Sequence, residues 1–251
     1  MVNKLTKELK IDALILQNSL TFRDRVGFLK HRLKKYGMLR LCDELMFQFY
    51  YRIFLKKWDA ELAKKYFPQE YLEGAIDIDK SIPVFKVDTI NCARAKSLLQ
   101  KLGPDIVFMQ SREMIDEDIL NVAKMGFIGC HPGILPDYRG TYAPFWTALN
   151  LELNKLGFTI YIADKGIDTG KIIFQKNIEL DATKGTFKLH SEYIMYRSIP
   201  FIISTLKKIS EEGISFLERP ISKSRLFSHV GLLDYICAKK KLKKLVMHEK
   251  R

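Results

Sequence analysis

The chain has 251 residues, of which 47% are hydrophobic, and a formal net charge of +13 at pH 7. This composition argues against a disordered chain, and the length allows one sizeable α/β domain or a domain with a small appendage. No apolar run reaches the ~18 residues that a membrane span needs, and the polar N-terminus lacks the apolar region of a signal peptide. We therefore expect a cytoplasmic protein, and its four scattered cysteines lack the spacing of a zinc site or a disulfide framework.

The first part of the chain predicts one strand followed by helices. A short apolar run predicts a buried strand at 11–17, and apolar residues at helical spacing predict a helix over 38–57. One stripe of this helix holds Leu41, Leu45, Phe49 and Ile53. Its aromatic residues and flanking lysines leave two interpretations open: a helix on a membrane surface, or one that covers the sheet or a dimer partner. Further helix is predicted over 56–71, with an interruption at Pro68.

Strand and helix patterns alternate through the rest of the chain. The predicted strands are 82–87, 106–109, 127–130, 158–163 and 172–178, and the predicted helices are 91–102, 115–125, 142–150 and 183–211. This alternation indicates an α/β fold with a mostly parallel sheet and helices on both faces. Because no low-complexity linker interrupts the pattern, we predict one domain over 1–215 and a basic C-terminal extension over 216–251.

The positive charge is concentrated in two segments, 23–35 and 239–251. Such segments attract polyanions, including nucleic acid, acidic lipid head groups and nucleotide-linked substrates. The alternative is a solvated surface followed by a frayed tail, and the sequence leaves both interpretations open.

One loop carries a histidine in a setting that favours catalysis. His131 directly follows the strand predicted at 127–130, and a lone histidine there is more often structural. The prolines and glycines of the loop are Pro132, Gly133, Pro136 and Gly140. The prolines restrict the backbone and the glycines permit tight turns, so the loop holds the imidazole in place as a catalytic group requires.

A carboxylate on a second loop is the predicted partner of this histidine. Asp168 lies in the segment 164–170, between two predicted apolar strands. A carboxylate beside an imidazole selects its tautomer and stabilises its protonated form. Loops that follow buried strands are where an α/β sheet usually keeps its chemistry, so we predict that His131 and Asp168 act together. Asp164 is the second carboxylate of this loop and is more typical of a residue that shapes a turn.

Three neighbours of the histidine are further candidates. Cys130 precedes His131, but adjacent residues of an extended segment point to opposite faces, which argues against a cysteine nucleophile. Tyr138 and Arg139 are candidates for binding an anionic substrate group, although Arg139 could equally brace the loop. The sequence contains no glycine-rich phosphate loop, zinc motif or nucleotide-binding glycine fingerprint, so no metal is expected.

These two loops resemble the folate-dependent formyltransferases. The hallmark of that family reads roughly Asn-x-His-Pro-Ser/Gly-x-Leu-Pro-x-Tyr-Arg-Gly, followed by Gly-x-Asp-x-Gly. Residues 129–140 read Gly-Cys-His-Pro-Gly-Ile-Leu-Pro-Asp-Tyr-Arg-Gly, and residues 166–170 complete the second motif. The likeness begins near Ile82, is firm from the segment 102–107 and extends to Gln175. It implies a Rossmann-like domain that passes a formyl group from 10-formyltetrahydrofolate to an amine.

The resemblance also implies roles for individual residues. In that family an asparagine and a histidine donate hydrogen bonds to the oxyanion, while an aspartate holds the histidine and assists proton removal. By position, His131 and Asp168 take these roles, whereas Gly129 stands where the family has its asparagine. The pterin of the donor would lie between the segments 110–114 and 162–166. The contacts so implied are Arg112, Met114, Ile162, Ala163, Asp164 and Gly166.

Gly129 is one of two departures from the family pattern. It offers no side-chain amide, and removing one oxyanion donor commonly costs about 10²–10³ in rate. We predict Gln110 or Ser111, at the end of the neighbouring strand, as the substitute donor. The second departure is a start that lacks the strand, glycine turn and helix found before the equivalent of 11–17. The alternative to an active enzyme is therefore a catalytically impaired relative that keeps the scaffold for binding.

The acceptor predicted on this resemblance is a small or nucleotide-linked amine, with an amino sugar as the first candidate. A tRNA or glycinamide-ribotide acceptor remains an alternative. The chain after residue 215 has no room for the β-barrel that methionyl-tRNA enzymes append, which argues against nucleic acid. A basic module that binds nucleic acid or a membrane surface is a third class, and it rests only on charge and on the aromatic helix. Both a homodimer and peripheral membrane contact stay open.

Overall fold

The computed structural model describes residues 1–18, 22–73, 78–111, 113–218 and 224–249. Their helices are α1 Val2–Glu8, α2 Phe22–Tyr50, α3 Lys56–Tyr66, α4 Gln69–Leu72, α5 Ala93–Leu102, α6 Glu117–Leu120, α7 Ala143–Leu149, α8 Phe187–Glu212 and α9 Leu232–Glu249. Gly37, with a φ of 81°, kinks α2. Their strands are β1 Leu14–Gln17, β2 Val84–Val87, β3 Ile106–Met109, β4 Gly126–His131, β5 Arg139–Gly140, β6 Gly157–Ile162, β7 Ile172–Asn177 and β8 Leu226–Phe227. A π-helical turn, Tyr51–Leu55, joins α2 to α3, and a 3₁₀ turn, Leu153–Lys155, precedes β6.

The main sheet has four strands in the order β3-β4-β6-β7, and β1 and β2 form a separate parallel pair. β3 and β4 run parallel, with Met109 opposite Gly129, but the β4–β6 and β6–β7 pairs are antiparallel. The loop 163–171 between β6 and β7 is shorter than the crossover of about a dozen residues that a parallel pair needs. The α/β class is confirmed, whereas the main sheet is mixed and not mostly parallel.

Helices cover both faces of this sheet, as predicted. Phe127 and Ile128 are neighbours in β4 whose side chains point to opposite faces. Ile128 packs with Ile160 of β6 against α8. Phe127 packs on the other side with Leu99 of α5 and Ile119 of α6.

The helix predicted over 115–125 is reduced to the single turn α6. Backbone hydrogen bonds from Lys124 to the carbonyl of Pro104 (3.2 Å) and from Met125 to that of Asp105 (2.8 Å) hold the following residues against the start of β3. These tertiary bonds replace those of a continuing helix, so the chain leaves the helical path at Asn121 and enters β4.

The C-terminal helix is part of the packed structure. Tyr235 and Ala238 of α9 are buried in an aromatic cluster with Phe47 of α2 and Phe145 of α7. Leu242, one helical turn further on, is buried in the cluster beneath α8. The described residues of the predicted extension 216–251 therefore include a docked helix, because their apolar positions recur at helical spacing.

The stripe predicted on the helix 38–57 faces outward. Leu45, Phe49 and Ile53 are each about half exposed or more, while Phe47 on the opposite side is fully buried against α8 and α9. The interpretation in which this stripe covers the sheet is therefore wrong. The side that docks carries Phe47 and Leu55 together with Glu44, whose charge is compensated by buried Arg32.

Candidate active site

The two predicted loops meet, and their chemically active side chains face each other. β4 ends at His131, and Asp168 lies in the loop between β6 and β7. His131 Nδ1 lies 3.5 Å from Asp168 Oδ2, and the side chains are 6% and 14% exposed. β6 pairs antiparallel with β4 and ends beside Ile128, so the loop 163–171 folds back along the strands to reach His131.

Asp168 is oriented by two hydrogen bonds as well as by the histidine. Oδ2 accepts from the backbone N–H of Gly140 (2.8 Å), and Oδ1 accepts from the hydroxyl of Tyr161 (2.8 Å). The Asp168 backbone has a φ of 51°, a left-handed conformation that aspartate tolerates better than most residues. Gly140 has a φ of 89°, and an added Cβ would lie 2.2 Å from the carbonyl oxygen of Phe227, so only glycine fits there. The carboxylate is thus held in one direction.

His131 is enclosed by its own loop. Nε2 lies 2.7 Å from the carbonyl oxygen of Tyr138. Because a carbonyl oxygen only accepts, Nε2 carries the hydrogen in this arrangement, and Nδ1 is the nitrogen that faces Asp168. A Cβ on Gly133 would lie 2.7 Å from Nε2 and 2.5 Å from the Cβ of Ala143, so this glycine lets the loop close over the ring.

Tyr161 occupies the space beside Gly129, and the sequence prediction did not include it. The two residues are cross-strand partners in the β4–β6 pair. A Cβ on Gly129 would lie 3.0 Å from Cε1, 3.1 Å from Cζ and 3.2 Å from Oη of Tyr161. Burial and the nearby Asp168 carboxylate raise the pKa of the Tyr161 phenol, so it remains protonated. The sequence held one signal for this role of Tyr161: a glycine stands at residue 129, where the family has an asparagine, and the next predicted strand contains a large side chain with a hydroxyl group.

The predicted substitute donors are placed elsewhere. The Ser111 hydroxyl donates to the carbonyl of Glu113 (3.0 Å) and accepts from its N–H (3.1 Å), so it is used within a turn. Gln110 is exposed, one residue beyond β3. In the part of the chain that the structure describes, neither side chain hydrogen-bonds to His131 or Asp168. Arg112 lies outside the described residues.

The segments predicted to hold a pterin follow two strands whose ends contribute to one apolar cluster. Met109, at the end of β3, and Ala163, just after β6, pack in the same apolar cluster. Met114 is 54% exposed, and the N–H of Ile162 donates to the carbonyl of Lys171 (2.9 Å). The strands that precede these segments, β3 and β6, lie on either side of β4.

Asp164 shapes its own loop, as its turn-like sequence predicted. Its Oδ1 accepts from the N–H of Gly166 (2.9 Å) and from the hydroxyl of Thr169 (2.5 Å). A Cβ on Gly166 would lie 2.0 Å from the Thr169 hydroxyl oxygen. The two residues implied as folate contacts thus form a compact turn next to Asp168.

Of the two residues predicted to bind an anionic group, Tyr138 is buried and Arg139 is partly exposed. Tyr138 is fully buried, donates its hydroxyl to Glu152 and accepts from Asn150 (3.2 Å). Burial raises the pKa of Tyr138 to about 12, so its side chain supports the loop and is not presented to a substrate. Arg139 is partly exposed, and its buried Nε has no hydrogen-bond partner within the described ranges. Of the two, only Arg139 retains capacity to bind an acceptor group.

Cys130 faces away from the histidine, as strand alternation predicted. Its Sγ donates to the hydroxyl of Ser198 in α8 at 3.5 Å. Burial raises the pKa of the Cys130 thiol to about 12, which disfavours the reactive thiolate. A cysteine nucleophile is inconsistent with this placement.

An oriented histidine–aspartate pair on two stiff loops of an α/β domain is typical of enzymes that move protons during group transfer. Residues 63–193 match the family model described as formyl transferase. The chain belongs to that family.

Two curated relatives share this region of the chain. The bifunctional polymyxin resistance protein ArnA of Wigglesworthia glossinidia brevipalpis is 36% identical over 137 residues, covering 52% of this chain and 20% of the relative. The methionyl-tRNA formyltransferase of Thermotoga neapolitana is 30% identical over 142 residues, covering 56% of this chain and 45% of the relative. The chain thus spans less than half the length of either relative.

One solved structure supports the fold independently of close sequence likeness. A sugar N-formyltransferase from Shewanella sp. FDAARGOS_354 aligns with a TM-score of 0.51 and 16% identity, covering 63% of this chain and 67% of the other. At this identity the likeness concerns the fold alone. The Rossmann-like, formyltransferase-type α/β architecture is thereby confirmed.

Proposed function

We propose that this protein transfers a formyl group from 10-formyltetrahydrofolate to a primary amine in the cytoplasm. The observation that carries the proposal is the oriented His131–Asp168 pair, which lies within the region that matches the family. Such a transfer requires a group that takes a proton from the attacking amine and groups that stabilise charge on the formyl oxygen. The chain presents both kinds of group at one place.

The His131–Asp168 pair serves the proton transfer in this proposal. Asp168 holds the ring through Nδ1, and its own direction is set by Gly140 and Tyr161. A carboxylate in this position stabilises the imidazole as it gains positive charge, which favours removal of the amine proton. In the structure Nε2 donates its hydrogen to the Tyr138 carbonyl, so acting as a base requires that the loop release Nε2 and that the ring hydrogen move to Nδ1, where Asp168 accepts it.

The Tyr161 hydroxyl is the donor that we assign to the oxyanion in place of a side chain at residue 129. Its oxygen would lie 3.2 Å from a Cβ at Gly129, next to the volume that an asparagine amide would occupy. The raised pKa keeps the hydroxyl proton available, and rotation about the C–O bond redirects it from Asp168 to a bound oxygen. This assignment replaces Gln110 and Ser111, which lie outside hydrogen-bonding contact with the pair.

The segments proposed to hold the donor offer both apolar and main-chain groups. The apolar side chains of Met109 and Ala163 share one cluster, and the turn formed by Asp164 and Gly166 borders it, so a flat ring has an apolar wall and main-chain groups beside it. Bound there, 10-formyltetrahydrofolate would supply an activated formyl group. Ile162 and Met114 complete the set of residues that would hold it.

The proposed acceptor is a nucleotide-linked amino sugar. A net charge of +13 favours a phosphorylated acceptor, and the partly exposed Arg139 is the candidate to bind its anionic group. The name of the aligned Shewanella protein also supports a sugar acceptor. A tRNA acceptor, as in the name of the Thermotoga relative, is the alternative within this proposal.

A catalytically impaired scaffold is the second candidate, and two observations favour it. His131 is only 6% exposed with both ring nitrogens facing protein acceptors, and Gly129 offers no side-chain donor. Such a protein would keep folate binding as a signal or a structural ligand without turnover.

The test is titration calorimetry with 5-formyltetrahydrofolate, a stable mimic of the donor, followed by formyl-transfer assays on amino-sugar nucleotides. Wild type, His131→Ala, Asp168→Asn and the control Cys130→Ala, which alters the opposite face of β4, are compared. Micromolar binding together with transfer that Asp168→Asn abolishes supports the enzyme. Binding without transfer to any amine supports the scaffold, and absence of binding by folded wild type contradicts both.

A further inference from the structure

The outer face of the α2 region exposes an apolar stripe. We define this stripe as the six most exposed large apolar side chains of the segment: Leu39 (89% exposed), Phe49 (68%), Phe54 (61%), Met38 (60%), Met46 (56%) and Ile53 (51%). Met38, Met46, Phe49 and Ile53 follow one another at eight, three and four positions, a helical spacing that places them along one side of α2 and the following π-helical turn, and Leu39 and Phe54 are their neighbours in the chain. Soluble monomers rarely expose an apolar surface of this extent, and such surfaces mark interaction sites.

The charges around the stripe all have the same sign. The exposed charged side chains of residues 26–57 are Lys30, Lys34, Lys35, Arg52, Lys56 and Lys57. The two acidic residues of the segment, Asp43 and Glu44, point inward: Glu44 pairs with Arg32, and Asp43 pairs with Arg40 at 3.4 Å. Along the chain the apolar stripe is therefore flanked by basic residues at both ends, with the kink at Gly37 between the first group and the stripe.

We propose that this face binds the surface of an anionic lipid bilayer. A helix with an apolar face and a basic rim lies in the interface, with its apolar side chains at the boundary between head groups and acyl chains. Long lysine and arginine side chains then reach the phosphates from the edges of the stripe. Among the described ranges, none of the helices has the length and apolar character of a membrane span.

A second copy of the chain is a poorer occupant of the same face. Two copies packed through the stripe would bring their basic ends together without exposed carboxylates of this segment to compensate, and like-charge contacts oppose association. Helix α9 adds to the preference for lipid. Leu233 is 71% exposed next to α2, where its N–H donates to Asp43 Oδ1 at 3.0 Å, and Lys240 follows on the exposed side.

Vesicle sedimentation tests this inference independently of any enzymatic activity. Full-length protein is mixed with vesicles of phosphatidylcholine alone or with phosphatidylserine added, and the bound fraction is measured at two salt concentrations. The apolar variant is Leu39→Ser with Phe49→Ser. Its matched control is Leu102→Ser with Phe216→Ser, which removes the same side-chain types at 37% and 44% exposure on other surfaces. The charge variant neutralises Lys34, Lys56 and Lys57 with glutamine.

We expect binding to the anionic vesicles only, weakened by salt. The apolar variant should lose about tenfold or more in partition coefficient, and the charge variant about fivefold for each lysine neutralised, whereas the control binds as wild type. Circular dichroism confirms that each variant is folded. Equal binding by the apolar variant and its control, or no binding by wild type, overturns the proposal. Sedimentation velocity that shows a dimer abolished by the apolar variant, without vesicle binding, assigns the face to self-association instead.

Discussion

Gly129 and Tyr161 form the contact that most distinguishes this site, and substituting the glycine tests it. Gly129→Asn introduces the side chain that the family pattern carries at this position. Its Cβ would lie 3.0 Å from Cε1 and 3.2 Å from Oη of Tyr161. The ring is 8% exposed and its hydroxyl is bonded to Asp168, so it cannot move without losing that bond. We expect overpacking to lower the free energy of unfolding by about 1–3 kcal/mol.

Replacing Tyr161 with serine tests whether its ring is the cause of this destabilisation. Tyr161→Ser alone should destabilise by about 3–5 kcal/mol through the cavity it leaves. In the double variant, Gly129→Asn with Tyr161→Ser, the asparagine has room, so it should no longer lower the free energy of unfolding. Urea unfolding of the two single variants and the double variant should then give a coupling energy of about 1–3 kcal/mol. The matched control is Gly27→Asn, because a Cβ there meets nothing within 4 Å. Costs that add within about 0.5 kcal/mol would refute the steric argument.

Three further predictions concern buried polar groups away from the site. Arg32→Met leaves the buried carboxylate of Glu44 without its main partner and should cost about 3–5 kcal/mol of unfolding free energy, most of which Arg32→Met combined with Glu44→Leu recovers. Asp59→Ala removes the acceptor of the Thr186 N–H (2.8 Å) at the start of α8 and should lower stability by about 1–3 kcal/mol, whereas an unchanged urea midpoint would contradict this role. Burial lowers the pKa of His190 from 6.5, so the unfolded chain binds more protons below that pH and stability falls as pH drops through it. Unfolding measured at pH 7.5 and 5.5 should show a smaller difference in His190→Gln, and an equal difference would rule out this contribution.

The sequence pattern predicted secondary structure correctly where residues close together in the chain determine it. The strand predicted at 106–109 has those bounds in the structure, and the helix predicted over 91–102 ends at Leu102, where Gly103 adopts a left-handed conformation. The histidine and aspartate motifs are equally local, since prolines, glycines and turn residues stiffen their own loops. For this reason the sequence alone identified the pair whose side chains the structure brings to 3.5 Å.

Contacts between distant segments decided the rest. The directions of β6 and β7 follow from a short return loop and from pairing with β4, which alternating strand and helix patterns do not encode. An amphipathic pattern does not say which side of α2 will find a partner, and the docking of α8 and α9 on Phe47 left the other side exposed. The role of Tyr161 depends on its register with Gly129, thirty-two positions away, and on a carboxylate from a third segment. Motifs thus identified the reactive pair by themselves, whereas the groups that surround and orient it are known only from the packed sheet, because strand register brings them together.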